Sequence, residues 1–181
     1  TFPRRLETEL LDVLPADDPA AVRSRRDLRR LNEVMLHPAI MARRMLRHSV
    51  EAPRRIIELG AGDGSLMLRL SRRLARHWSG VATILVDRQD IVTQETRQAI
   101  SSLGWHEDAI TQDVFEYLAV AEPADIVIAN LFLHHFQPPQ ITDIFTRCAK
   151  LAPIFIALEP RRATLPLLGS RPRFLDFTLF H

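Results

Sequence analysis

The stretch Ile56-Ile57-Glu58-Leu59-Gly60-Ala61-Gly62-Asp63-Gly64 decides how this sequence folds. A short apolar run ends in glycines at alternate positions, and Leu66, Leu68, Leu70 and Leu74 then continue as a helix, so the segment reads as strand, tight turn, helix. The chain holds only 6 glycines in 181 residues, and three of them fall here, which calls for a local cause. Missing side chains let a backbone turn sharply and let a ligand come close to it. The same unit then recurs. Val81 to Val86 is a β-branched run ending at Asp87, followed by a helix from about Asp90 to Leu103 that Gly104 stops. A third, weaker strand is expected near Ala109 to Thr111, a fourth at Ile126 to Ala129 and a fifth at Ile154 to Leu158, the last two separated by an amphipathic helix from about Pro139 to Leu151.

Continuous apolar strands alternating with helices imply a parallel sheet covered on both faces and joined by right-handed crossovers. The expected fold is therefore α/β, a Rossmann-like, doubly wound and mostly parallel sheet over residues 53–181. Phe174 to Phe180 reads as a terminal strand. Ahead of Pro53 the pattern is helical and polar, which marks residues 1–52 as an N-terminal helical cap. Leu6, Leu10, Leu11 and Leu14 recur at helical spacing until Pro15, a second helix opens near Pro19, and Pro38 starts a third that runs to about Arg47. Five arginines between Arg23 and Arg30 form either a solvated helix face or an anion-binding one.

Composition removes several function classes. With 46% apolar and 25% charged residues the chain is neither disordered nor fibrous. Its longest apolar runs fall far short of the roughly 20 residues that span a bilayer, and its beginning lacks a signal-peptide layout. The lone Cys148 can form neither an internal disulfide nor a cysteine metal cluster, which suits a reducing cytoplasm and a small core residue. A formal charge of +2 is too weak a field to argue for nucleic acid, although all the basic residues except Lys150 are arginine. Oligomeric state is left open.

In open parallel sheets ligands bind beyond the carboxyl ends of the strands, and each candidate residue lies at such an end. A dinucleotide turn needs G-x-G-x-x-G, but counting from Gly60 places Ser65 at the third glycine and counting from Gly62 places Met67 there. Glu58 and Asp63 would repel a pyrophosphate and suit a cationic ligand, unless Glu58 only bonds the backbone of the turn. Asp87, 23 residues beyond Gly64, can accept from both hydroxyls of a ribose or cap the next helix, a task for which Asp90 is better placed. Asp113 can take an exocyclic amine such as that of adenine, or act as a helix cap. The fourth strand runs into Asn130-Leu131-Phe132-Leu133-His134-His135-Phe136, where alternating apolar and polar residues suit a pocket wall. His134 or His135 can serve as a general base or as a structural pair. No metal site is expected, because no Glu-x-x-His or His-x-x-x-His partner is near and adjacent residues seldom converge on one ion.

Taken together, IIELGAGDG, LVD, QDV and ANLFLHHF resemble the class I S-adenosylmethionine-dependent methyltransferases over residues 54–160, and within them the small-molecule branch of the ubiquinone and menaquinone biosynthesis enzymes. The resemblance implies a methyl transfer from S-adenosyl-L-methionine to a small, apolar or aromatic acceptor, leaving S-adenosyl-L-homocysteine. It places Gly60, Ala61, Gly62 and Gly64 around the methionine part of the cofactor with Glu58 nearby. It puts Asp87 on the ribose, Arg88 against the adenine, Asp113 and Val114 at the adenine amine, and Asn130 near the sulfonium. His134 becomes the candidate base or a substrate-facing wall, and Asn32, Met35 and His37 of the cap either line the pocket or only cover the sheet edge. The family sheet normally closes with a further helix and an antiparallel hairpin, yet only residues 161–181 follow Pro160. A helix and a strand are therefore expected to be missing near 161–173, through truncation or, as the favoured reading, an omitted segment close to Arg171. Two competing functions are an RNA or DNA methyltransferase, disfavoured because no Asn-Pro-Pro-Tyr or Asp-Pro-Pro-Tyr motif follows strand four, and a non-catalytic cofactor-binding member of the same fold.

Overall fold

The computed structural model describes residues 36–49, 51–160 and 174–180. The two helices expected before residue 35, the arginine cluster at 23–30, and Asn32 and Met35 lie outside the described residues, as does the segment 161–173. The described chain runs α1 (His37–His48), β1 (Arg55–Leu59), α2 (Ser65–Leu74), β2 (Ala82–Asp87), α3 (Gln94–Ser101), β3 (His106–Thr111), α4 (Val114–Val120), β4 (Ile126–Asn130), a 3-10 turn (Leu133–His135), α5 (Pro138–Leu151), β5 (Ile154–Pro160) and β6 (Phe174–Phe180).

One six-stranded sheet has the order β3-β2-β1-β4-β5-β6. The first five strands are parallel, and β6 runs antiparallel against β5 from Phe174 opposite Pro160 to Phe180 opposite Ile154. The order reverses between β1 and β4, which makes the crevice at their carboxyl ends the topological switch point. Register brings Leu59 level with Val86 and with Ala129, so the loops leaving β1, β2 and β4 emerge side by side.

Strand residues are apolar on both sides because both faces are buried. Ile56, Ile126, Ile128, Ile154 and Ile156 face one core with Met41, Met45, Met67, Leu70 and Trp105, whereas Ile57, Leu59, Val127, Phe155 and Ala157 face the other with Ile144, Leu151 and Cys148. Cys148 is fully buried, as a core residue should be, and burial pushes its thiol pKa up to about 12. Among the described residues no helix is long and apolar enough to cross a membrane.

Three elements differ from expectation. β3 starts at His106 rather than near Ala109, because it is a sheet edge whose polar residues hide the pattern. α3 begins at Gln94, where the Thr93 hydroxyl accepts the Thr96 amide at 3.2 Å, so neither Asp90 nor Asp87 caps it. The short α4 is an element that periodicity missed; its N-cap is Asp113, whose Oδ1 accepts the Phe115 amide at 2.8 Å.

Candidate functional site

The glycine turn is locked to its neighbours from two sides. Beyond β1 the amides of Gly60 and Ala61 both donate to the Val86 carbonyl, at 2.9 and 3.0 Å, which fastens the turn to the end of β2. Gly60 adopts φ +68°, and a Cβ there would lie 2.2 Å from Cδ2 of Phe132, so the ring beyond β4 rests directly on a bare Cα. Gly62 also has positive φ, +56°, but a Cβ there would meet nothing within 4 Å. Open space therefore borders the middle of the turn. The Gly62 amide donates to Asp87 Oδ2 at 2.8 Å, and Asp87 Oδ1 takes the Gln89 amide at 2.9 Å. A carboxylate thus holds the amide that a phosphate-binding turn would offer to its ligand, in keeping with the failed dinucleotide spacing.

Glu58, the penultimate residue of β1, is buried, and its Oε2 has no hydrogen-bond partner among the described residues. Burial, and then the charges of Asp63 and Asp87, raise its pKa well above the ordinary 4.5. Such an acceptor, beside two further carboxylates, is satisfied by a cation or a hydrogen-bond donor. The linkage has a definite sign. A carboxyl whose folded pKa lies above its unfolded value contributes stability below the unfolded pKa and loses it as pH rises toward the folded pKa. Glu58→Gln should therefore gain stability over the natural protein as pH rises above 4.5, by at most about 1.4 kcal/mol per pH unit. Urea unfolding across a pH series checks this; a pH-independent difference contradicts it.

A second cluster forms where β4 and β5 end. Nδ1 of the fully buried His37, the first residue of α1, lies 2.7 Å from Asn130 Oδ1, which ties the cap helix to the end of β4. Burial lowers the His37 pKa, opposed by the Asn130 hydrogen bond and by the charge of Glu159. A neutral ring with its proton on Nδ1 donates to the Asn130 oxygen. Leu131 then takes φ +52°, a costly conformation for a leucine, while its amide donates to the Leu158 carbonyl at 2.9 Å. This kink turns the chain so that Phe132 reaches Gly60 and the Phe132 and Leu133 amides reach Glu159 Oε1, at 2.9 and 2.8 Å. Glu159 Oε2 lies 2.9 Å from His134 Nδ1.

Residues 56–152, more than half of the chain, match the family model described as "Methyltransferase domain". The chain belongs to this methyltransferase family. No curated protein matches it. Among solved structures it is similar to an O-methyltransferase family protein from Burkholderia thailandensis, at 18% identity and TM-score 0.59, over 79% of this chain and 42% of that one. It is also similar to magnesium protoporphyrin IX methyltransferase from Synechocystis PCC 6803, solved with bound SAM, at 18% identity and TM-score 0.54, over 75% of this chain and 63% of that one. A third is the plantazolicin methyltransferase BpumL in complex with SAH, at 16% identity and TM-score 0.55, over 81% of this chain and 55% of that one. At these identities the likeness establishes the Rossmann-like methyltransferase fold, and this chain spans 42 to 63% of the length of those three.

Within the methyltransferase domain, the residues expected from sequence sit at the carboxyl ends of β1 to β4. Gly60, Ala61, Gly62 and Gly64 make the turn, Gly64 being the residue from which α2 starts. Arg88 is exposed just past β2. Asp113 carries the cap of α4 through one oxygen, and Val114 beside it is buried. His37 joins the cluster through Asn130. Glu159 was not anticipated, although an acidic residue near the end of a strand is the same signal that singled out Asp87. A separate groove of about 520 Å³ lies between α1 and the far end of α2, edged by Arg43, Leu46, Arg72, Arg73 and Arg76, and includes none of these residues.

Proposed function

We propose that the protein is an S-adenosylmethionine-dependent methyltransferase acting on a small molecule, in the manner of the ubiquinone and menaquinone biosynthesis branch, and that it works in the cytoplasm. The observation that carries this function is the buried, unpartnered Oε2 of Glu58 beside a glycine turn whose central amide is already held by Asp87. That arrangement rejects a pyrophosphate and welcomes a ligand that is cationic at one end and offers ribose hydroxyls at the other.

Glu58 and the backbone of Gly60 to Gly64 hold the amino-acid end, where the free carboxylate oxygen accepts from an ammonium. Asp87 holds the ribose: each of its oxygens takes one backbone amide and keeps a further acceptor site. Arg88, Asp113 and Val114 border the adenine, and Asn130, oriented by His37, faces the reacting end. When bound, S-adenosylmethionine supplies a methyl on a sulfonium, a leaving group already activated, and S-adenosylhomocysteine remains. The protein then gains most by holding acceptor and methyl in near-attack geometry and excluding water. Phe132, stacked edge-on to Phe136 with centroids 4.9 Å apart, and Leu133 give the acceptor side an apolar, aromatic wall.

Thermal unfolding with added ligands tests the assignment. S-adenosylhomocysteine should raise the midpoint and NAD+ should not, since only a ligand bound by the folded state stabilises it. A shift with NAD+ alone would overturn it.

A further inference from the structure

We infer that the groove between α1 and the far end of α2 is a docking surface for this chain's own segment 6–14, bound there as an amphipathic helix. The groove stands apart from the glycine turn, so its occupant does not depend on the reaction proposed above.

Ala39, Ala42, Arg43 and Leu46 recur at i, i+3, i+4 and i+7 along α1 and form one wall. Arg72 and Arg73, in the last turn of α2, and Arg76 just past it form the other, across a space of about 520 Å³. The two alanines let a partner's backbone come close, and Leu46 leaves 38% of its surface exposed. Four exposed arginines thus edge an apolar strip. None of the four makes an ion pair among the described residues, and Arg76 spends its Nε on the ring of His77 at 3.0 Å. Like charges gathered on one groove repel one another, and an occupant that carries carboxylates relieves this.

Residues 6–14 lie outside the described residues, and their sequence has the complementary pattern. From Leu6 to Asp18 the chain holds five carboxylates, Glu7, Glu9, Asp12, Asp17 and Asp18, and no basic residue. At 3.6 residues per turn, Leu6, Leu10, Val13 and Leu14 fall within an arc of about 100°, bordered by Glu7 on one side and Glu9 on the other. An apolar stripe between carboxylates therefore meets an apolar strip between arginines, whose planar forks suit carboxylate oxygens. Residues 19–35 join the segment to Leu36, directly ahead of α1. Those 17 residues can reach about 56 Å when extended, and the 12 residues of α1 span only about 18 Å. The tether also raises the effective concentration to the order of mM, ahead of any free acidic partner. Seated there, the segment braces α1, whose first residue holds Asn130.

Paramagnetic relaxation in the full chain tests the docking. Cys148 is fully buried and its thiol pKa is pushed up to about 12, so a nitroxide reagent labels only an introduced cysteine. A label at Arg47→Cys, exposed on α1 beside the groove, should broaden the amides of residues 6–14. A label at Lys150→Cys, exposed on α5 across the sheet, should leave them sharp. Equal broadening from the two sites, or none from either, overturns the proposal. Arg72→Glu with Arg73→Glu should abolish the Arg47→Cys effect, and so should Glu7→Arg with Glu9→Arg, which leaves both walls of the groove intact. Broadening that survives both pairs of substitutions overturns it as well. When nitroxide-labelled protein of natural isotope abundance is mixed with 15N-labelled protein, no amide should broaden; broadening of residues 6–14 in the mixture would place a second copy's segment in the groove and overturn the intrachain occupant.

Discussion

Gly60→Ala should destabilise the protein by about 2 to 5 kcal/mol. Two costs combine. The left-handed conformation at φ +68° charges an L-residue roughly 1–2 kcal/mol. The added Cβ also lands 2.2 Å from the Phe132 ring, and forcing a methyl into packed space costs typically 1–3 kcal/mol. Phe132 cannot simply swing away, because its amide is held by Glu159 and its ring packs against Phe136. Gly62→Ala isolates the first cost, since it has a similar φ of +56° and no neighbour within 4 Å. Urea unfolding of the two variants should therefore differ by the contact cost alone, with Gly60→Ala the less stable. Equal stabilities would mean that Phe132 does not rest on the turn. Any ring displacement in Gly60→Ala also moves the loop that carries His134, so ligand binding should weaken beyond what lost stability explains.

Asp87→Ala should weaken S-adenosylhomocysteine binding by roughly 1.5–3 kcal/mol, the range for hydrogen bonds to a charged group, or about 10- to 150-fold in Kd. The carboxylate does two jobs that alanine cannot. It would receive the ribose hydroxyls, and it holds the Gly62 and Gln89 amides that give the turn and the β2 loop their shape. Asp87→Asn distinguishes the two, because its single oxygen can keep only one of those amides. An unchanged affinity in Asp87→Ala would take this residue out of the site.

The strands along the chain and their parallel packing were legible because buried parallel strands are apolar on both faces: Ile56-Ile57, Ile126 to Ala129 and Ile154 to Leu158 stand out against polar surroundings. β6 was legible as a terminal strand from the apolar residues that recur between Phe174 and Phe180. The start of β3 was not, since His106, Glu107 and Asp108 of an edge strand look like a loop. Nor was α4, which is too short to show a helical period and announces itself only through its Asp113 cap. Within the site, Gly60, Gly62, Gly64, Glu58, Asp87 and Asn130 were visible as types of residue at strand ends. The pairing of Glu159 with His134, and of His37 with Asn130, was hidden because each joins segments distant in sequence. Leu131, whose positive φ makes the Glu159 contacts geometrically possible, carries no sequence signal, since glycine or asparagine would be the usual residue for that conformation.

The groups that converge on the switch point come from β1, β2, β4, β5 and the first turn of α1, and they are mostly acidic or neutral. Around the turn, Glu58, Asp63 and Asp87 raise the cost of any anion, and Glu58 bears a pKa raised first by its burial and then by the charges of Asp63 and Asp87. A cationic ligand relieves that repulsion, so binding and the electrostatics of the folded protein favour the same occupant.

Isothermal titration of the natural protein with S-adenosylhomocysteine tests that conclusion most directly. A saturable, one-to-one heat that shrinks in Asp87→Ala is the expected result; no detectable heat at hundreds of micromolar ligand would contradict it.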